Sequence, residues 1–348
     1  MALVGGQTPS THTLAASGDT ILTLKNPNAP FAQWGGNKNL PSSTTPSTTP
    51  STTPSQVTFR VSSHHLIAAS SVFKAALTGP WKEASTTADG CHEISAEDWD
   101  AEAMRVVLSL IHSRTRNIPR TVTLEMLSKI AVLVDYYGLH EALYFYASLW
   151  IDHLRHAEFL PSTYDRNLML WIFVSWVFKD AGLFKTVTKI AIEQSPRRMA
   201  TIHLPIPERV ISRFCIQGRI NAQREMAIQL IGSSLLKLKL DLLNSKIGCS
   251  FECRSLLLGA LIKYMHDDGI LEDGVMTTSK GSSLKATIQR VRDMESPSKD
   301  WHPRVPRDAY STGGFGSTPL CQVSLSSLTE PWLNMALDTI RGLGLYEQ

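Results

Sequence analysis

Several things are scarce in this 348-residue chain, and each scarcity removes a class of explanation. Charge imbalance is nearly absent: Lys+Arg total 34 against Asp+Glu 31, a net charge of +3, so no global field draws the protein to nucleic acid or to anionic lipid. Regular cysteine spacing is absent too. The five cysteines, at 91, 215, 249, 253 and 321, form an odd set with no disulfide framework. The opening MALVGGQTPS lacks the charged and apolar regions of a signal peptide, and the expectation is an intracellular protein of cytoplasm or nucleus. Long hydrophobic runs are missing. The most apolar one, LMLWIFVSWVF, has eleven residues between Asn167 and Lys179, short of the roughly 18 to 20 that span a bilayer. It reads as a buried helix, and no membrane association is expected.

Sequence-local catalytic signatures are also lacking. There is no G-x-S-x-G elbow, no H-E-x-x-H and no phosphate loop ending in G-K-[ST]. The glycine-rich STGGFGS at 311–317 lacks the flanking strand and capped helix that phosphate binding needs, and reads as a loop. Cys249 and Cys253 would share a helix face if a helix already begins there, with His266 or Cys321 as further ligands, but structural zinc takes four ligands and no second close pair exists. Core packing is the preferred reading for them and for Cys215. His266, Asp267 and Asp268 stand at a helix end, where solvated polar groups are routine. The aromatics Trp171, Phe173, Trp176 and Phe178 fall on several sides of one helix, as core residues do. Arg114, Arg116 and Arg120 read as a solvated face. No catalytic residue, cofactor or metal is expected, and the chain is read as a non-enzyme.

What is present is a change of hydrophobic period within residues 57–78, VTFRVSSHHLIAASSVFKAALT. Val57, Phe59 and Val61 alternate as one face of a strand, and Leu66, Ser70, Phe73 and Leu77 then recur at helical spacing. Ser62 or Ser63 can cap that helix, and Gly79 with Pro80 stops it. Upstream, GDTILTLKN at 18–26 reads as a first strand opened by Asp19. Between the two strands lies a low-complexity Ser/Thr/Pro insert at about residues 34–56, with three STTP units at 43–54. It has almost nothing to bury and is expected to stay a loop, lengthening the tether at little entropic cost.

From Asp98 onward the pattern is almost entirely helical. Asp98 or Asp100 caps a helix running to about His112, and Thr123 starts another whose stripe Leu124, Leu127, Ile130, Ala131 and Val134 ends at Gly138. Further helices are expected through Leu154, at 165–178, 182–193, about 207–243 and 252–266. A Pro/Gly/Ser-rich stretch at about 295–323 reads as irregular, and a last helix is signalled by Glu330 and Pro331 at its start. No repeat of 20–50 residues recurs in the C-terminal half.

The strand-then-helix unit with the core L-x3-S-x2-F of Leu66, Ser70 and Phe73 resembles the BTB/POZ domain, in its fungal form. The segments CHEISAEDWDAEAMRVVLSLIHSRTRNIP and TLEMLSKIAVLVDYYGLHEALYFYASLWIDHL are similar to its third strand, following helix and last helix pair. Many such domains carry a histidine four residues before the helix leucine. Ser62 stands there in this chain, with His64 and His65 displaced. The fold implied is α+β, a small mixed sheet flanked by helices and followed by a mostly helical C-terminal region. The organisation expected is a disordered tail at 1–16, a BTB/POZ domain at 17–156, a BACK-like helical extension at 157–217 and a helical region at 218–348.

The resemblance implies a protein-interaction scaffold with protein partners. Two routes follow, homodimerisation through the first strand and first helices, and adaptor work for a cullin-type ubiquitin ligase. Asp19, Leu66, Phe73 and Leu77 are the interaction candidates. The alternative is a transcriptional regulator acting through a BTB-containing complex, without direct contact with nucleic acid.

Overall fold

The computed structural model describes residues 10–34, 56–157, 160–196, 199, 202–205, 216–268, 283–297 and 323–345. The STTP insert, Cys215, Cys321, the glycine cluster at 311–317 and nearly all of the Pro/Gly/Ser-rich stretch lie outside them. The chain is mixed α+β and divides into two compact units. One comprises residues 1–187, 200–208 and 344–348, and the other 188–199 and 209–343.

The first unit holds a four-stranded sheet of β1 (Ser10–Thr13), β2 (Thr20–Lys25), β3 (Gln56–Val61) and β4 (His92–Glu97). The order is β1-β3-β2-β4. β2 runs antiparallel to β3, with Leu22 opposite Phe59, while β1 is parallel to β3 and β4 is parallel to β2. Alternation decides which face is covered: Leu22, Leu24, Val57, Phe59, Val61, Ile94 and Ala96 are buried. Ser10–Thr13 corrects the expectation of a disordered tail to residue 16. STHT carries no apolar pattern, and its order comes from pairing with β3 and from the Arg60 carbonyl, which accepts from the Leu14 amide at 3.0 Å. Gly18 completes the turn into β2, because a Cβ there would lie 2.5 Å from the Val61 carbonyl oxygen.

A second correction concerns the helix after β3. It is two helices, α1 (Ser63–Ala69) and α2 (Ser71–Thr78), separated by Ser70 in an extended conformation. The break is stabilised on both sides of Ser70: its hydroxyl accepts from the Phe73 amide at 3.0 Å, capping α2, and donates to the Tyr137 carbonyl.

α3 (Ala101–Ile111) is capped by Asp100, whose carboxylate accepts from the amides of Glu102 and Ala103. α4 (Leu124–Tyr137) is capped by Thr123 and closed by Gly138 in the left-handed region, φ 64°. α5 (His140–Ala157), α6 (Arg166–Val177) and α7 (Ala181–Gln194) follow, and the division between the two units falls inside α7. α6 is buried on every side from Leu168 to Ser175, including Trp171 and Phe173, so the short apolar run is a core helix. No helix among the described residues is long and apolar enough to cross a membrane. An ion network holds α3, α4 and α6 together: Lys129 pairs with Asp100 and Glu125, both at 2.9 Å, and Arg166 reaches Glu125 at 2.9 Å. Burial opposes the charge on Lys129, but the two carboxylates outweigh it and raise its pKa.

In the second unit α8 (Ile216–Leu243) buries the stripe Ile220, Ala227, Ile231, Leu235, Leu238 and Leu242. It packs with α9 (Phe251–Asp267), α10 (Leu284–Arg292) and α11 (Leu325–Asp338). α11 corrects the expected start at Pro331. Ser324 begins it with a capping box shared with Ser327, and Pro331 lies inside the helix.

Candidate interaction surface

The residues singled out as interaction candidates are brought together, but as the skeleton of the domain. Leu66 is fully buried, Phe73 is 2% exposed and Leu77 5% exposed, so none of the three offers a side chain to a partner. Their work is internal. Phe73 stacks on Tyr137, ring centroids 4.5 Å apart, directly beside the Ser70 contact with the Tyr137 carbonyl. L-x3-S-x2-F therefore docks the α1–α2 hairpin onto the end of α4. Burial pushes the Tyr137 phenol up to about 12, and it stays neutral.

Asp19 acts from a distance as the cap of α1. Its carboxylate accepts from the Ser63 amide at 2.7 Å and from the Ser63 hydroxyl at 2.6 Å. Ser62 occupies the N-cap position but its hydroxyl makes no capping bond. Partial burial works against the Asp19 charge, and the two bonds from Ser63 overcome it and lower the pKa. The neighbouring amide, that of Ser62, donates to Nε2 of His112 at 2.9 Å, while Nδ1 of His112 lies 2.8 Å from the Leu108 carbonyl. This arrangement requires the neutral imidazole with its proton on Nδ1. His65 stacks on the same ring at 4.9 Å. Sequence reading missed His112, since its partner is fifty residues away.

Burial, aided by His65 and Arg114, holds the His112 pKa below the usual 6.5. An imidazole depressed in the folded state gives stability that is complete above the unfolded value and is lost as pH falls below it. Urea midpoints measured between pH 7.5 and 5.5 are therefore expected to fall, by about 1 kcal/mol of stability for each unit of depression. His112→Gln is expected to flatten part of that slope, leaving the contribution of His140, which burial also depresses. An unchanged slope in the variant would remove His112 from the explanation.

Among the described residues the first unit exposes Trp34, Val72 and Trp81 and, on α4 and α5, four further large hydrophobic side chains. Tyr136, Tyr144, Phe145 and Leu149 are 59%, 67%, 65% and 48% exposed. Beside them runs a groove of about 550 Å3, between the short turn of Thr115–Asn117, the following segment to Arg120, and α5. Trp150 donates its indole N–H to the Pro119 carbonyl at 3.0 Å and fixes the segment against the helix. Of the three arginines read as a solvated face, Arg114 is instead structural, donating to the Leu14 carbonyl at 2.8 Å, and Arg116 and Arg120 line the groove. The acid-free run from His112 to Val122 was the available signal, but its closeness to α5 was not.

Cys249 precedes the N-cap Ser250, so it does not share a helix face with Cys253, which is buried. Among the described residues no group of three His, Cys, Asp or Glu side chains could hold a metal ion. Asp268 accepts from the Tyr264 hydroxyl and from Arg290, both at 2.9 Å, which ties α9 to α10. Comparison with protein-family models, curated proteins and solved structures finds no match for the chain.

Proposed function

We propose that this chain is a non-catalytic protein–protein interaction scaffold built on a BTB/POZ-type domain, self-associating or recruiting protein partners. Adaptor work for a cullin-type ubiquitin ligase is the specific form that the resemblance implies. The observation that supports the scaffold reading is the exposed aromatic and aliphatic set Tyr136, Tyr144, Phe145 and Leu149, carried on two packed helices. Large apolar side chains held out on a rigid support are what a protein interface uses as anchors.

The test uses the full-length protein in light scattering over a wide concentration range and in retention assays with a purified cullin. A dimer mass, or cullin retention lost in Tyr144→Ala/Phe145→Ala with the thermal transition preserved, is expected. A monomer at all concentrations that also retains no cullin overturns the proposal.

A further inference from the structure

The groove between the Thr115–Arg120 segment and α5 has an apolar floor and a cationic rim. Ile118, Pro119, Leu149 and Trp150 supply the floor. Tyr146 extends it as one strip of rings, 5.9 Å from Trp150 and 5.6 Å from the exposed Phe145. Arg116 and Arg120 are exposed at the rim, and neither forms an ion pair among the described residues. No acid is among the lining residues; Glu125, the first acid after Arg120, is taken by Lys129 and Arg166, and Asp152 lies beyond Trp150 on α5. Two unpaired guanidinium groups above aromatic and aliphatic carbon select a ligand that is anionic and apolar at close spacing.

The dimensions and the charge narrow the class further. About 550 Å3 accommodates a few side chains of an extended segment. Nucleic acid binding draws its affinity from many phosphate contacts, which two arginines on a chain of net charge +3 do not supply. We infer that the groove binds a short acidic peptide segment of a protein partner, its carboxylates paired with Arg116 and Arg120 and an aromatic or aliphatic anchor packed on Tyr146 and Leu149. This inference rests on the scaffold reading and adds the chemistry of what is recruited.

A fluorescein-labelled peptide EDEWLDE and its charge-reversed counterpart KRKWLKR, titrated against the full-length protein by fluorescence polarisation, provide the test. The acidic peptide is expected to bind saturably and more weakly as salt rises. Arg116→Glu/Arg120→Glu is expected to weaken it at least about tenfold while gaining affinity for the basic peptide. Leu149→Asp is expected to weaken both. Should the double glutamate variant shift the thermal transition, Arg116→Gln/Arg120→Gln carries the same test without charge reversal. Equal binding of the two peptides, acidic-peptide affinity unchanged in the arginine variants, or tighter binding of a single-stranded oligonucleotide at physiological salt overturns the inference. If the acidic peptide fails while the protein still dimerises or retains a cullin, the groove assignment falls and the scaffold reading stands. If dimerisation and cullin retention fail as well, both fall.

Discussion

Phe73→Ala is expected to cost the sheet-bearing unit about 3–5 kcal/mol, the range for emptying a fully packed aromatic site. The ring is 2% exposed and stacked at 4.5 Å on Tyr137, so its removal leaves a void bounded by α4 rather than by movable surface side chains. Hydrogen exchange read by mass spectrometry on peptides from β2, β3 and α4 is the suitable measurement, because it reports on this unit by itself. Protection of those peptides is expected to drop together, with the second unit unaffected. Phe73→Leu, which keeps much of the volume, is expected to lose less than half as much. Equal protection in wild type and Phe73→Ala would mean that the hairpin is not held by this contact.

Asp19→Ala is expected to destabilise the same unit by about 2–3 kcal/mol, since it strips the charged acceptor from both the Ser63 amide and the Ser63 hydroxyl. Asp19→Asn keeps a carbonyl acceptor and is expected to lose about half of that. The pH dependence has a definite sign. The carboxyl is held below its usual 3.8, so its stabilisation is complete above that value and vanishes as pH falls through the folded one. Wild type and Asp19→Ala should therefore differ most above about pH 4 and approach each other as pH falls through the lowered pKa of the folded state. Curves that stay parallel over the whole range would assign the effect to something other than the carboxylate.

These two residues show where the sequence could be read and where it could not. Asp100 ahead of α3, Thr123 ahead of α4 and Gly138 behind it act within a few positions of themselves, so their roles follow from local chemistry. The alternation of β3 and the stripe of α8 were legible for the same reason. Ser70 was different. Its spacing fits a helix, and the extended conformation is held by its local cap on Phe73 together with the Tyr137 carbonyl, 67 residues away and invisible to spacing.

β1 is polar and owes its existence to a partner strand. α10 was overlooked although Ser283 with the stripe Leu284, Ile288 and Val291 marked it, because its basic and polar residues masked a narrow apolar face. At the candidate surface the spacing located Leu66, Phe73 and Leu77 as core positions, and their choice as interaction candidates came from the resemblance alone. The groove was invisible because Arg116 and Tyr146 meet only when α5 folds back on the Thr115–Arg120 segment.

The strand order has a consequence for how the molecule comes into being. β2 is a central strand, and both of its neighbours lie far along the chain: Thr20 pairs with Val61 on one side and with His92 on the other. No two strands of this sheet form a tight local hairpin, so the entropy of closing long loops falls due before any ladder bond rewards it. α4 and α5 are joined by Gly138 and Leu139 alone, and α3 lies next before them in the chain, so these helices can form early from neighbouring contacts. On a ribosome, β2 emerges long before β4 exists, and its apolar Leu22 and Leu24 must wait uncovered until the helices have begun to assemble. The step expected to be slow in building this protein is then the capture of an early strand by a late one.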